Sequence, residues 1–475
     1  MTPLRFFPRP LALIGLPLLL AGCAIGPAYQ QPEMALPTSF RHDAIPPGSA
    51  PALRDENQGT DWWAVYRDPV LHRLLREVSD ANPALAQAEA RHRQALALVG
   101  AARATALPQV GATLGATRSG GSAPVARRYQ AGLEVSWTAD LWGRVARQGE
   151  AARADADSAA ATLAASTLAL QLSAAQGYVR LRAQDLHQAL LAQALTAYER
   201  SLQLTRNQYE AGFVARADVI QAETQLQSLR TQGFDIARQR ALEENALAVL
   251  AGTTPSALQL AATDAVVLPA PPPAPVALPS ALLRRRPDIA AAERQVAAAN
   301  ARIGVAQSAW LPDLTLSATG ALQSSRWSGL FDAPVRVWSL GPSLAASLFD
   351  GGTRRAAEAQ ALAQYDEQVA GWRASVLQGI RETEDALASL QSLAGKDAQQ
   401  QRLVELAGEN ERVVTNRYQA GEISFLEVAT AQNLALTSRR TALDVQAERL
   451  STSMQLIAAL GGGWQDANRP AAPGP

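Results

Sequence analysis

The residue types that most often carry chemistry are scattered through this chain of 475 residues. None of the four histidines has a second metal ligand at a workable spacing. These histidines are His42, His72, His92 and His187. The sequence also has no phosphate-binding glycine loop with a lysine and no nucleophile elbow. We therefore predict that the protein is not an enzyme and that it uses no metal or other cofactor.

A different pattern, made of aromatic, glycine and acidic residues, occurs twice. Residues 207–212 and 416–421 share the pattern Asn-x-Tyr-x-Ala-Gly, and an acidic residue follows six positions after each glycine. The matching residues are Tyr209, Gly212 and Asp218 in the first copy and Tyr418, Gly421 and Glu427 in the second. Glycine can end a helix in the left-handed conformation. Each copy therefore predicts a helical hairpin tip, at about 209–218 and about 418–427.

Further matches in the same order indicate that the chain is a tandem duplication. Asn82-Pro83 corresponds to Arg286-Pro287, and Leu107-Pro108 corresponds to Leu311-Pro312. Because collinear matches at a nearly constant spacing are the signature of an internal repeat, we predict two copies of one long unit.

The elements that carry the tips are predicted to be very long helices. Proline is absent over residues 144–253 and 343–469, and such tracts rich in alanine, glutamine and leucine favour helix. A helix over residues 144–211 would be roughly 100 Å long at 1.5 Å per residue. The second copy would match it with a helix over 353–420, and a return helix would cover 213–250.

Between the helices of each copy, the period of the sequence changes to two. Apolar residues alternate with small or polar ones in four stretches of about ten residues, the length with which a β-strand crosses a bilayer. These stretches predict two hairpins, at about 108–139 and about 312–348. Five tryptophans lie in or beside them, which is typical of membrane interfaces, with packing inside a soluble β-layer as the alternative. They are Trp137, Trp142, Trp310, Trp327 and Trp338.

Four strands are too few to close a membrane barrel, which needs about eight or more. An open sheet edge is untenable in lipid, so the chain is predicted to assemble with copies of itself. A hollow assembly would bring the copies of Asp218 or of Glu427 close together. Unshielded like charges repel, which favours opening unless cations or arginines hold them. The alternative is that these carboxylates are solvated groups near a helix start.

The N-terminus resembles a bacterial lipoprotein signal. Two arginines precede an apolar run that is too short to span a membrane, and residues 20–23 read Leu-Ala-Gly-Cys. We predict that residues 1–22 are removed as a signal peptide and that Cys23, the only cysteine, is acylated. Because the next residue is Ala24 rather than aspartate, this resemblance implies the outer membrane.

Basic and acidic residues are balanced at 43 each, which gives no reason to propose nucleic acid as a partner. After the signal, we predict an extended arm, two repeats separated by a proline-rich linker, and a tail. The arm covers 23–65, the first repeat 66–251, the linker 252–280, the second repeat 281–460 and the tail 461–475. The charge run Arg284-Arg285-Arg286-Pro287-Asp288 is predicted to be a solvated helix start.

Together these residues resemble the TolC-like outer membrane factors, in particular the lipoprotein branch called NodT-type or OprM-like efflux proteins. The resemblance rests on the signal before Cys23, on Arg-Arg-Pro-Asp-Ile from Arg285, on residues 136–144 and on the paired tips. It implies a mostly α-helical homotrimer with membrane β-structure. Each chain would contribute four strands to a twelve-stranded outer-membrane barrel, which continues into a long α-helical barrel.

The resemblance also implies a function and partners. The protein would be the outer-membrane exit channel of a tripartite efflux system, a passive conduit for small molecules such as drugs that is gated at its periplasmic tip. Its tips would dock on a periplasmic adaptor protein, which is fed by an inner-membrane pump of the RND type. The arm, the linker and the C-terminal end would form an equatorial girdle.

The family closes its gate with contacts of tyrosine, aspartate and arginine. The residues here that match these tip positions are Tyr209, Asp218, Tyr418 and Glu427. Some members carry a locking arginine soon after the tip glycine, where this chain has Ile423, and Arg216 and Arg417 are candidate substitutes. Two other functions stay open: a type I protein-secretion conduit of the same fold and a structural periplasm-spanning coiled coil. Alanine-rich helices and alternating strands disfavour the coiled coil.

Overall fold

The computed structural model of the chain describes residues 25–42, 61–122, 124–262, 268–272, 279–332 and 334–464. The predicted signal peptide over 1–22 and the predicted acylation site Cys23 lie outside the described residues. So does most of the predicted C-terminal tail.

The described part of the first repeat contains four helices and two strands. They are α1 (Pro69–Ala81), α2 (Pro83–Ala104), β1 (Gln109–Ser119), β2 (Ala126–Ala139), α3 (Arg144–Glu210) and α4 (Arg216–Leu250), preceded by a 3-10 turn over Trp62–Tyr66. Asp68 caps the N-terminus of helix α1. Its carboxylate accepts hydrogen bonds from the backbone N–H groups of Val70 and Leu71 at 2.8 and 3.1 Å.

The described part of the second repeat contains the matching series with one additional short helix. They are α5 (Leu282–Arg285), α6 (Pro287–Ser308), β3 (Asp313–Ser324), α7 (Gly329–Asp332), β4 (Val335–Ala345), α8 (Thr353–Gln419) and α9 (Phe425–Ala459). Helices α3 and α8 each have 67 residues, and α4 and α9 each have 35. These equal lengths confirm the predicted duplication.

The described chain divides into two compact units, and the first contains the described residues among 25–34, 90–160 and 291–373. Its centre is an antiparallel sheet in the order β1-β2-β3-β4, so that β1 and β4 are its two edges. The strand ends that connect to helices lie at one end of the sheet. The described residues of the two hairpin turns, 120–122, 124–125, 325–332 and 334, lie at the other.

The two faces of this sheet differ in polarity. Directly paired residues share a face, and the register aligns Leu114 with Ala131, and Ala131 with Leu322. Most residues of this row and of its neighbours of the same parity are apolar, whereas the opposite face carries mostly glycine, serine, threonine and glutamine. Leu133 and Trp338 are 61% and 78% exposed on the apolar face, as expected for side chains that contact lipid.

The start of the predicted arm is fixed to this first unit by its backbone. The Ile25 N–H donates to the Trp142 carbonyl at 3.2 Å, and the Arg147 guanidinium donates to the carbonyls of Ile25 and Gly26 at 3.2 and 3.1 Å. Gly26 has a φ of 101°, and a Cβ there would lie 2.5 Å from the Cα of Gly304. Only glycine permits this approach, so the arm begins at a defined place.

The second unit contains the described residues among 35–89, 161–290 and 374–464, and it repeats one helix-end contact in both copies. The Asn82 side-chain amide donates to the carbonyl of Leu250 at 2.7 Å, close to the end of α4. At the corresponding place, the Arg286 guanidinium donates to the carbonyl of Ala459 at 3.2 Å, at the end of α9. The same contact with different side chains is further evidence for duplication.

Arg286 corrects one sequence-based prediction, because it is buried rather than solvated. Its side chain is 8% exposed and forms ion pairs with Asp288 at 2.6 Å and with Glu382 at 2.7 Å. A buried guanidinium is tolerated only when carboxylates and carbonyls replace its water. Glu382 is 96 positions away in the sequence, which is why the local charge run suggested solvation.

Among its described residues, two hydrophobic cores hold the second unit together. One surrounds Trp62, Trp63 and α1, where Leu75 and Val78 are fully buried against Leu181 of α3. The other core lies among the helices that end at the hairpin tips.

Candidate functional site

Both hairpin tips have the same hydrogen-bonded turn. At the first, the N–H of Gly212 donates to the carbonyl of Tyr209 and the N–H of Phe213 donates to that of Gln208, at 2.9 and 2.8 Å. At the second, Gly421 and Glu422 make the same pair of bonds, both of 3.0 Å, to the carbonyls of Tyr418 and Arg417. This is the Schellman motif, which satisfies the last carbonyls of a helix.

The two tip glycines supply the left-handed residue that this motif requires. Gly212 has a φ of 79° and Gly421 a φ of 77°. The prediction that these glycines end helices in the left-handed conformation is therefore confirmed. Three residues after the left-handed turn, a new helix begins in each copy, at Arg216 and at Phe425.

The two acidic residues occupy the same position, the third residue of the return helix. The Asp218 carboxylate accepts a hydrogen bond of 3.1 Å from the N–H of Ala215, which is half of a capping box. Glu427 is exposed, and its carboxylate has no hydrogen-bond partner within the described part of the chain. A carboxylate in the first helical turn is stabilised by the helix dipole. Both therefore have a local structural reason to be acidic.

The two tyrosines differ. Tyr418 is 1% exposed, its hydroxyl donates to Thr205 Oγ1 at 2.9 Å, and its ring packs edge-on against Phe425 with the centroids 5.7 Å apart. Burial raises the pKa of the Tyr418 phenol, and the hydrogen bond with Thr205 opposes this rise. Tyr209, by contrast, is 42% exposed. The second-copy tyrosine is thus part of a core, and the first-copy tyrosine is available for outside contacts.

The candidate arginine partners are both at the surface. Arg417 forms an ion pair of 3.1 Å with Glu422 of its own tip. Arg216 is the first residue of α4, is exposed, and makes no ion pair with any described residue. Neither arginine contacts Asp218 or Glu427 within the described chain.

Comparison with known proteins decides the family. Residues 74–253 and 278–462 match the family of outer membrane efflux proteins. The chain belongs to this family. It is 33% identical over 469 residues to the pyoverdine export outer membrane protein OpmQ of Pseudomonas aeruginosa, a match that covers 96% of this chain and 97% of that protein. It is also 29% identical over 472 residues to the cation efflux system protein CusC of Escherichia coli, which covers 98% and 100% of the two chains.

Solved structures have the same fold. The outer-membrane channel OprN superposes with a TM-score of 0.86 at 28% identity, covering 94% of this chain and 100% of that one. The open-state MtrE outer membrane channel of Neisseria gonorrhoeae gives a TM-score of 0.81 at 26% identity, covering 93% and 98%. The predicted family, fold class, efflux-channel function and outer-membrane location are therefore confirmed.

In this outer membrane efflux protein, the tips of the two repeats share one hydrophobic core. Leu202 of α3, Leu226 of α4, and Tyr418, Phe425 and Val428 of the second tip are buried in it. The same core continues along α4 and α9, where the Arg440 guanidinium donates to Gln232 Oε1 at 2.8 Å. Movement of either tip would therefore disturb the packing of the other.

A buried polar cluster stabilises the helices farther from the tips. The Asp185 carboxylate accepts from Arg182 at 2.9 Å and from Arg240 at 2.6 Å. The two guanidinium groups also donate to the carbonyls of Ala261 and Leu260, at 2.9 and 2.5 Å. The cluster thereby binds the start of the proline-rich linker to α3 and α4. Its role is structural.

Sequence reasoning missed one prominent tip residue. Phe213 directly follows the left-handed glycine of the first tip and is 81% exposed. At the second tip, Leu426 is 61% exposed. A large apolar residue at a turn, where polar residues are usual, was the signal that could have drawn attention to Phe213.

Proposed function

We propose that three copies of this chain form a passive exit channel that carries small molecules out through the periplasm and the outer membrane. No reaction is catalysed, and the energy for transport comes from an inner-membrane pump of the RND type through a periplasmic adaptor. The names of related proteins, which refer to the export of pyoverdine, toluene and cations, support small molecules as the cargo class.

The unpaired edges of the sheet are the main evidence for the proposed trimeric channel. Within the described part of one chain, β1 and β4 each have a strand neighbour on only one side, and the apolar face of the sheet is exposed. Open edges are excluded from lipid, because each unpaired backbone group there costs several kcal/mol. Three four-stranded sheets joined at their edges would form a closed barrel. The assembly is therefore expected to be obligate.

We propose further that the hairpin tips form the periplasmic gate. Exposed Glu427 would line the narrow axis together with its symmetry copies, and exposed Tyr209 and Phe213 would contact neighbouring copies or the adaptor. Buried Tyr418 would contribute indirectly, because its packing stabilises the second tip. In this arrangement Asp218 supports the start of α4, and Arg216 and Arg417 are the cations nearest in sequence to the ring of acids.

The arm, the proline-rich linker over 252–280 and the C-terminal end are proposed to form the equatorial region. Two contacts support this role. The backbone N–H groups of Arg41 and His42 donate to the Glu384 carboxylate at 2.6 and 3.2 Å. The linker carbonyls of Leu260 and Ala261 accept from the guanidinium groups of Arg240 and Arg182.

Ion selectivity in planar bilayers tests the proposed gate. Purified trimers, whose mass is checked by light scattering, should conduct with a preference for cations. Glu427→Gln should weaken that preference, because three carboxylates at a narrow axis dominate the local field. The matched control is Glu409→Gln, which removes an exposed carboxylate that is already paired with Arg412 on α8. Equal selectivity of wild type and Glu427→Gln would remove Glu427 from the gate, and a stable inserted monomer would overturn the trimeric channel.

A further inference from the structure

The end of the sheet that carries the two hairpin turns is rich in arginine. Residues 115–130 and 319–340 contain five arginines and one acidic residue, Asp332. The arginines are Arg118, Arg127, Arg128, Arg326 and Arg336. All five are exposed, and none forms an ion pair with a carboxylate among the described residues, which omit positions 123 and 333 of the two turns. This concentration of unpaired positive charge is not used by the gate or by the conduit.

The strand register shows which face each arginine occupies. Arg118 of β1 and Arg127 of β2 are direct partners, so their side chains leave the same face of the sheet. Two residues farther along β2, Tyr129 stands on that face, and the alternation then continues through the apolar rows. Arg336 of β4 is the partner of Leu322 and also belongs to the apolar face. Arg128, the partner of Thr117, stands on the opposite, polar face.

Three arginines on an apolar face need a counter-charge. Like charges placed directly opposite each other across two strands are destabilising, and Arg118 and Arg127 are such a pair. On the lipid face of a barrel, an arginine costs about 2–4 kcal/mol at the midplane and about 0–1 kcal/mol near the interface. A site at the interface with an anionic partner removes both costs.

Aromatic side chains mark the same region as an interface. Tyr129 packs edge-on against Trp327 with the ring centroids 5.7 Å apart, and Trp327 packs against Phe331 at 6.0 Å. Trp327 is 51% exposed and Phe331 is 70% exposed. Amphipathic rings of this kind prefer the level of lipid headgroups. Below them and below Arg336, the apolar rows that contain Leu133 and Val135 offer a surface for acyl chains.

We propose that Arg118, Arg127 and Arg336 bind the phosphate groups of an anionic glycolipid in the outer leaflet of the outer membrane. The proposal rests on the function given above, because that orientation puts the hairpin turns on the outer side. Guanidinium groups bind phosphate oxygens through paired, charge-assisted hydrogen bonds. The occupant is a lipid rather than free phosphate, since the arginines continue directly into apolar rows that suit acyl chains.

Two variants distinguish a specific site from nonspecific attraction between the positively charged protein and an anionic lipid. The full-length trimer in a neutral detergent is titrated with bisphosphorylated lipid A, and binding is followed by native mass spectrometry. The Arg118→Gln/Arg127→Gln double variant should bind at least about tenfold more weakly, equivalent to a loss of about 1.4 kcal/mol. The matched control Arg128→Gln changes the neighbouring residue on the polar face and should stay within about twofold of wild type. Equal losses in both variants, or no loss in the double variant, would overturn the proposal.

Thermal stability provides an independent readout. Without lipid, the double variant should melt at or above the wild-type temperature, because a like-charge pair has been removed. Lipid A should raise the melting temperature of the wild type more than that of the double variant. If the double variant fails to assemble, Arg336→Gln should still show weakened binding, and unchanged binding there would contradict the site.

Further probes identify the ligand, and conductance measurements distinguish the lipid-site proposal from the channel proposal. Inorganic phosphate alone, or lipid A without its phosphates, should stabilise the wild type less than bisphosphorylated lipid A does. Equal stabilisation by either probe would overturn a glycolipid phosphate site. A wild-type channel that conducts normally but binds no lipid A would refute this inference and leave the channel function intact. Absence of conductance in any lipid would instead refute the channel.

Discussion

The two hairpin tips have the same sequence pattern and nearly the same backbone, yet their tyrosines lie in opposite environments. Gly212 and Gly421 differ by only a few degrees in φ, at 79° and 77°. Tyr209 is 42% exposed, whereas Tyr418 is 1% exposed. The turn is local, because it depends on the left-handed glycine and the bonds around it. Burial is decided by the neighbouring helices.

This difference shows that the two copies of a duplicated unit can have different structural roles. The second tip contributes Tyr418 and Phe425 to the core that it shares with α3 and α4. The first tip contributes neither its tyrosine nor Phe213 to that core, and both are exposed. One tip is therefore stabilised from within the chain, and the other has apolar surface left for contacts with other molecules.

The largest expected effect comes from truncating Tyr418, with the equivalent truncation of Tyr209 as the comparison. Tyr418→Ala should destabilise the second tip by about 3–5 kcal/mol, because it removes a buried aromatic ring and leaves a cavity. Tyr209→Ala should change the stability of the first tip by about 0.5 kcal/mol or less, since the ring is already exposed. Native-state hydrogen exchange of the amides on both sides of each tip measures this local opening. Similar acceleration of exchange at the two tips would show that the difference in burial has no energetic consequence.

Replacing the tip glycines should destabilise the two tips equally. Gly212→Ala and Gly421→Ala should each destabilise their tip by about 1–2 kcal/mol, because alanine is strained in the left-handed region. An added Cβ meets no atom within 4 Å at either position, so steric contact adds nothing. Hydrogen exchange at each tip is again the measurement. A markedly larger effect at Gly421 would reveal strain transmitted from the buried tyrosine beside it.

The smallest effect is expected from the two acids. Asp218→Ala should destabilise the start of α4 by about 0.5–1 kcal/mol, because it removes the bond to the Ala215 N–H and a favourable charge in the first turn. Glu427→Ala should cost about 0.3 kcal/mol, the low end of the dipole effect, since no hydrogen bond is lost. Exchange rates in the first turns of α4 and α9 distinguish them. If Glu427→Ala were the more destabilising change, Glu427 would have a structural role that its exposure does not suggest.

Much of the fold was predictable because it depends on local patterns. Long tracts without proline indicated α3 and α8, and the alternation of apolar and polar residues indicated the four strands. The helix boundaries agree to within a few residues because caps are local: Pro69 follows an aspartate that caps α1, and left-handed glycines end α3 and α8.

Parts of the site were not predictable, because they depend on residues that are distant in the sequence. Tyr209 and Tyr418 occupy the same place in their motifs, and nothing beside them indicates that only one is buried. Arg286 looked solvated within its charge run, but Glu382 and the end of α9 surround it. Local sequence indicates what a residue can do, and its distant neighbours decide the dielectric environment in which it does so.

By itself, the sequence determined the repeated architecture, the turns, the alternation of the strands and the family to which they belong. These properties follow from φ preferences, helix propensity and periodicity, which act over a few residues. Only the tertiary structure decided that Tyr418 is packed while Tyr209 is free, that Arg286 is an internal ion-pair centre, and that Arg118 faces Arg127 across two strands. Burial and register arise from elements that meet in space, and no local pattern contains that information.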